Sequence, residues 1–193
     1  RQLWEQNTDI VMVDTGNSYE GLCEYVGGKY IAYTEDKPIT MNPFNISKRE
    51  LNIEKIDFLK NLILMIWKGT DDKISELEFR IVEQIVTEYY DVYFSGFEHY
   101  TSSKRDNIRS TLMASEKRKD ATRDAQELNQ LVNQKIADLE SRRQSLKVDS
   151  LSFNTFYEYS TEALEIICVE SNIADIDYDK YRFMLQPFYK GGN

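Results

Sequence analysis

Apolar residues first gather at Ile10-Val11-Met12-Val13, with nonpolar side chains on both faces, and the run stops at Asp14-Thr15-Gly16-Asn17. A β-branched run closed by turn formers predicts a buried central strand. Gly27-Gly28 introduces Lys29-Tyr30-Ile31-Ala32-Tyr33, a second short strand, while Pro38 and Asn42-Pro43 predict an extended loop. From Phe44 onward the period becomes helical. Ile53, Ile56, Leu59, Ile63 and Ile66 recur every three or four residues, and Trp67-Lys68-Gly69 supplies a helix end. Thr70-Asp71-Asp72 can cap a second helix whose stripe is Ile74, Leu77, Ile81, Ile85, Tyr89 and Val92. Val82, Val86, Tyr90 and Tyr93 widen that stripe, so this helix buries more than one face.

The pattern then thins. Between Thr101 and Gln126 apolar residues are sparse, and from Leu128 a narrow stripe returns through Val132, Ile136, Leu139 and Leu146. A narrow stripe flanked by charge predicts an exposed or projecting helix, paired with another, and residues 98–150 read as a charged helical insertion. Ser152 caps a further helix carrying Phe156, Tyr159, Leu164, Ile167 and Cys168. Asp177 to Tyr189 predicts a short aromatic helix that Pro187 ends or kinks. The chain is therefore expected to be predominantly α-helical, about five helices, with two or three short strands near the N-terminus. Two strands alone are not a stable sheet, so these strands join a larger sheet or edge a helical bundle.

Composition narrows the function classes. The 193 residues carry a net charge of −9, which argues against a general nucleic-acid coat. From Thr101 to Ser150, however, eleven Lys or Arg stand against eight Asp or Glu, a net of +3 that leaves −12 for the remainder. Cys23 and Cys168 are far apart, which excludes a disulfide framework and a cysteine zinc site and suits a reducing compartment. The longest apolar run, Leu62 to Trp67, is far shorter than the roughly 20 residues of a spanning helix, and no signal peptide is evident. Membrane association is thus expected to be peripheral or through partners. The chain opens at Arg1 and closes on Gly191-Gly192-Asn193, and both ends read as cut points within a longer protein.

A phosphate-binding loop needs glycines and a Gly-Lys-Ser/Thr ending, so that backbone N–H groups and one ammonium surround the phosphates. No such run occurs. Gly28-Lys29-Tyr30 lacks the hydroxyl, and Lys68-Gly69-Thr70 has the wrong order. Asp14 is the suggestive acid, because α/β folds place water-orienting or metal-linked carboxylates at the C-terminal edge of a strand. A turn aspartate also caps its own backbone, and that reading stands beside the first. His99 is the single histidine and reads as a surface residue; no metal site is expected. Tyr89, Tyr90, Tyr93, Phe94, Phe97 and Tyr100 could stack bases, although their helical spacing favours core packing. Lys117-Arg118-Lys119 and Arg123 could meet DNA phosphates, but the interleaved Glu116, Asp120 and Asp124 favour a solvated helix face.

Several strings in order carry a resemblance. They are Val11-Met12-Val13-Asp14-Thr15-Gly16-Asn17-Ser18-Tyr19, Gly27-Gly28-Lys29-Tyr30-Ile31, Ile39-Thr40-Met41-Asn42-Pro43-Phe44 and Leu62-Ile63-Leu64-Met65-Ile66-Trp67-Lys68-Gly69. Near the end stand Leu151-Ser152-Phe153-Asn154-Thr155-Phe156-Tyr157-Glu158 and Leu185-Gln186-Pro187-Phe188-Tyr189-Lys190-Gly191-Gly192. Together these resemble the TraG-type ATPases of conjugative transposons, relatives of the type IV secretion ATPase, over residues 10–69 and 151–192.

The resemblance implies α/β parentage, with the chain as one ATPase-domain fragment, the stretch between the two nucleotide motifs of an incomplete RecA-like P-loop domain. It implies ATP and magnesium as ligands of the whole protein, and no tight binding or hydrolysis by this stretch alone. Asp14 would lie near the γ-phosphate or a magnesium-bound water, and Asn42, Pro43 and Phe44 would shape the wall of the site. Many relatives place an acid just before the motif's tyrosine; here Ser18 precedes Tyr19 and Glu20 follows. Other conjugation components and further copies of the whole protein are the implied partners, at the cytoplasmic face of the inner membrane. DNA binding through the basic helix and tyrosines is a weaker expectation. The alternative is a non-catalytic helical protein-interaction module docking through residues 101–150.

Overall fold

The structure is a computed structural model, and it describes residues 9–16, 18–32, 34, 41–69, 72–96 and 101–191. The chain divides into two compact units, Arg1–Met41 and Asn42–Asn193. In the first, Ile10 to Val13 run without a ladder partner and lie open, Val11 and Val13 each 93% exposed. Residues 28–32 are likewise irregular, and Thr34 carries an isolated bridge. The expected two or three strands are therefore absent among the described residues. A strand apolar on both faces needs neighbours beside it and cover above and below, and the first unit offers none among its described residues.

The regular element of this unit is a short helix, α1 (Glu20–Tyr25), which buries no side chain. Gly27 and Gly28 stop it: Gly27 takes φ 68°, and the Gly28 N–H donates to the Cys23 carbonyl at 2.8 Å. A Cβ on Gly28 would lie 2.9 Å from Cys23 Sγ, so only glycine fits there without displacing its neighbour. The pair ends a helix where the sequence suggested the start of a strand.

The second unit is helical. α2 (Ile53–Lys68) starts at Asn52, whose side chain accepts from the Lys55 N–H, and ends at Gly69 with φ 73°. α3 (Glu76–Ser95) starts at a capping box between Ser75 and Glu78. That box places the helix start later than expected, so Ile74 lies outside it; Thr70 and Asp71 fall outside the described residues. α4 (Ser102–Lys119) and α5 (Ala125–Ser145) form a hairpin across a short turn. α6 (Phe153–Glu170) opens on a second box between Ser152 and Thr155. α7 (Tyr178–Leu185), capped by Asp177, continues as a 3-10 segment, Gln186–Gly191, where Pro187 follows directly.

Two apolar clusters result. The larger joins α2, α3, α6 and α7 through Leu59, Ile63, Trp67, Val82, Ile85 and Phe156, with Phe44 inserted from the preceding loop. Its aromatic residues meet edge to face, as in Trp67–Tyr181 and Tyr89–Phe156. The smaller belongs to the hairpin, where Ile108 and Leu112 of α4 meet Leu128, Val132, Ile136 and Leu139 of α5, joined by Ile166 of α6. Among the described residues no helix is long and apolar enough to cross a membrane.

Candidate functional site

The Asp14 turn is built from the backbone. Asp14 Oδ1 accepts the Gly16 N–H at 3.0 Å and Oδ2 accepts the Tyr19 N–H at 2.9 Å. Tyr19 is the N-cap residue of α1 and provides no side-chain cap itself; Asp14 holds the backbone N–H of that residue and so fixes the turn that leads into the helix. These donors, Gly16 first and Tyr19 next, hold the Asp14 carboxyl below the usual carboxylate range. A carboxylate kept ionised in this way is a weak proton acceptor but a competent electrostatic or water-orienting group. Burial, and then the negative charge of Asp14, Glu20 and Cys23, raises the Tyr30 phenol. Among the described residues no three His, Cys, Asp or Glu side chains converge as a metal cage.

Asn42, Pro43 and Phe44 belong to the helical unit. Asn42 Oδ1 accepts the Phe44 N–H at 3.1 Å, while Nδ2 donates to the Leu151 carbonyl at 2.7 Å. This side-chain turn aims Phe44 inward. Phe44 is fully buried, 4.9 Å from the Phe156 ring centroid, and its carbonyl accepts the Tyr90 hydroxyl at 2.9 Å. The Phe44 ring is a core plug, which leaves Asn42 and the half-exposed Pro43 as the members able to face a ligand.

The aromatic series divides. Tyr89 and Tyr90 are fully buried, whereas Tyr93 is 39% exposed; Phe97, His99 and Tyr100 lie outside the described residues. Tyr89 fastens the start of α6, its hydroxyl 2.8 Å from Thr155 Oγ1. The basic run forms the last turn of α4, where cations suit the negative end of the helix dipole. Lys119 and Lys135 donate to Glu116 at 2.9 and 2.7 Å, and Arg123 lies 3.6 Å from the same carboxylate. Hydrogen bonds from Lys135 and Lys119 hold Glu116 down at about 2.

A second charge cluster was missed by sequence reasoning. Arg143 of α5 is fully buried, with Nε and Nη2 donating to Glu170 of α6 at 3.1 and 2.9 Å and Nη1 donating to Glu88 of α3. Lys104 of α4 lies 3.6 Å from Glu88 and 3.8 Å from Glu170. Burial pushes the Glu88 carboxyl up, but Arg143, Gln84 and Lys104 together outweigh it, and the group stays below its ordinary value. The signal was positional. Arg143 continues the stripe Val132, Ile136, Leu139; Glu88 falls between Ile85 and Val92; Glu170 follows Ile166. Three charges on apolar stripes need one another.

The TraG P-loop domain family model matches residues 1–99 and again residues 91–193. No curated protein and no solved structure matches the chain. The two matched segments together span every element described above, and the chain belongs to the TraG P-loop domain family.

Proposed function

We infer that the chain is part of the motor ATPase of a conjugation apparatus of the type IV secretion kind, in which ATP hydrolysis drives transfer. The family match over both halves carries this reading. The chain contains no Gly-Lys-Ser/Thr loop, so the grip on the phosphates is assigned to a loop elsewhere in the protein. Magnesium, when bound with ATP, neutralises charge on the transferring phosphoryl group. Asp14, ionised and fixed by backbone N–H groups, would be the residue that orients water for attack on the γ-phosphate or holds a magnesium-bound water. In the helical unit, Asn42 and Pro43 would be the wall residues that the resemblance implies, anchored by Phe44 from the core. The protein works as an assembly of several copies with other conjugation components, at the cytoplasmic face of the inner membrane.

A second reading rests on a specific observation. The Asp14 carboxylate already serves to fasten the turn before α1 and Phe44 serves as core, as expected of a helical interaction module without catalysis. ATP turnover separates the two readings. A polypeptide holding this chain together with its phosphate-binding loop is expected to hydrolyse ATP, and residues 1–193 alone are not. Absence of turnover from the loop-bearing protein would leave the interaction module as the better account.

A further inference from the structure

We propose that the α4–α5 hairpin is a detachable arm, held on the helical core by the buried Arg143–Glu88–Glu170 cluster. This goes beyond the ATPase reading and does not depend on it. The apolar contacts of the hairpin are mostly its own: Ile108 and Leu112 against Leu128, Val132, Ile136 and Leu139. From the core side, Ile166 is the buried residue that joins them, with half-buried Leu146 touching both clusters. The rest of the seam is polar. Arg142 donates to Glu162 and Glu165 at 3.1 and 3.0 Å, and Ser115 donates to Asn172 at 2.6 Å. At its centre Arg143 is clasped by α3 and α6, with Lys104 balancing the second carboxylate.

Such a seam is exacting about register yet weakly adhesive. Two cations and two anions are neutral together, and in the closed state each is satisfied by the others. On separation every one of them returns to water, so attraction gained in the closed state is largely offset by desolvation avoided in the open one. An apolar seam has no such compensation, because its exposed face stays unfavourable in water. The larger cluster keeps its packing between α2, α3, α6 and α7 when the arm leaves, since the buried apolar side chains of α4 and α5 lie in the smaller cluster. Opening of the arm is therefore a lower excursion than unfolding of the core.

Hydrogen exchange on the whole chain, read by peptide across a denaturant series, tests this. Amides of α5 from Leu128 to Leu139 are expected to exchange at least tenfold faster than those of α3 and α6, with a smaller denaturant dependence. Arg143→Ala strands two carboxylates in the closed seam and is expected to speed α5 exchange a further thirtyfold or more, leaving the α3 segment around Val82 to Val86 much less affected. The apolar quadruple variant Lys104→Met, Arg143→Met, Glu88→Leu, Glu170→Leu replaces all four charges, so that no desolvation penalty remains, and is expected to slow α5 opening below that of the unmodified chain. Equal rates and equal denaturant dependence for α5 and α3 in the unmodified chain would overturn the proposal, whether or not Arg143→Ala folds. A quadruple variant that opens faster than the unmodified chain would overturn it as well.

Discussion

Val11 and Val13 in the first unit are each 93% exposed, whereas Ile63 and Val82 in the helical unit are 0% exposed. All four are β-branched apolar residues in short hydrophobic runs. The difference lies in what each run needs to be complete. A helix closes its own backbone hydrogen bonds and asks only that one face be covered, which α2, α3, α6 and α7 do for one another. A central strand asks for neighbours on both edges and both faces, and those are not among the described residues of the first unit. Stability is thus concentrated in the helices, while the residue with the best claim to nucleotide chemistry, Asp14, sits in the part that buries least.

The contrast can be broken by substitution. Phe156→Ala removes a fully buried ring that touches Phe44 and Tyr89, and is expected to cost about 3–5 kcal/mol in urea unfolding. A loss under about 1 kcal/mol would mean the helical core is not packed as described. Leu139→Ala, in the thin hairpin stripe, is expected to cost about 2 kcal/mol, the low end for such a change, because the site can collapse. Its effect should be read mainly in the exchange of α4 and α5. A loss spread evenly over α2 and α3 would join the hairpin to the core as one cooperative body.

Acid sharpens the same comparison with a smaller effect. Glu116 is held at about 2 by Lys135 and Lys119, against an ordinary value of 4.5. The unfolded chain binds that proton first as pH falls, so the contribution is complete above about 4.5 and is lost on the way down to about 2. Circular dichroism and exchange between pH 6 and pH 3 should show α4 and α5 loosening ahead of α2 and α3, and Glu116→Gln should flatten that part of the profile. Simultaneous loss of all four helices would contradict it. The smallest effect is expected from Val11→Ser with Val13→Ser, within about 0.5 kcal/mol in urea unfolding, since both side chains already face water. A larger loss would place them in a packed environment.

The helices were legible because their signals are local. The stripe Leu59, Ile63, Ile66 marks α2, Ser152 marks the start of α6, and Gly69 marks a stop through its positive φ. Ser75 with Glu78 was equally readable as a capping box, yet Thr70-Asp71-Asp72 drew the start forward. The strands failed because pairing is non-local, so Ile10 to Val13 carry a strand's composition without its partners. Phe44 was assigned to a pocket wall on resemblance. Its burial depends on the local Asn42 turn and on three residues distant in sequence, Tyr89, Tyr90 and Phe156. Arg143 was only one of the eleven basic residues counted between Thr101 and Ser150, although its place on the stripe Val132, Ile136, Leu139 marked it as a buried cation.

The claim that the Asp14 turn is part of a nucleotide site is tested most directly by Asp14→Asn in the protein that carries the phosphate-binding loop. Asparagine keeps one acceptor oxygen for the Gly16 or Tyr19 N–H while removing the charge. The account predicts that kcat for ATP falls roughly tenfold or more while the circular dichroism spectrum and urea midpoint hold. An unchanged kcat in a folded Asp14→Asn protein would reduce Asp14 to a fastener of the turn before α1 and remove it from the chemistry.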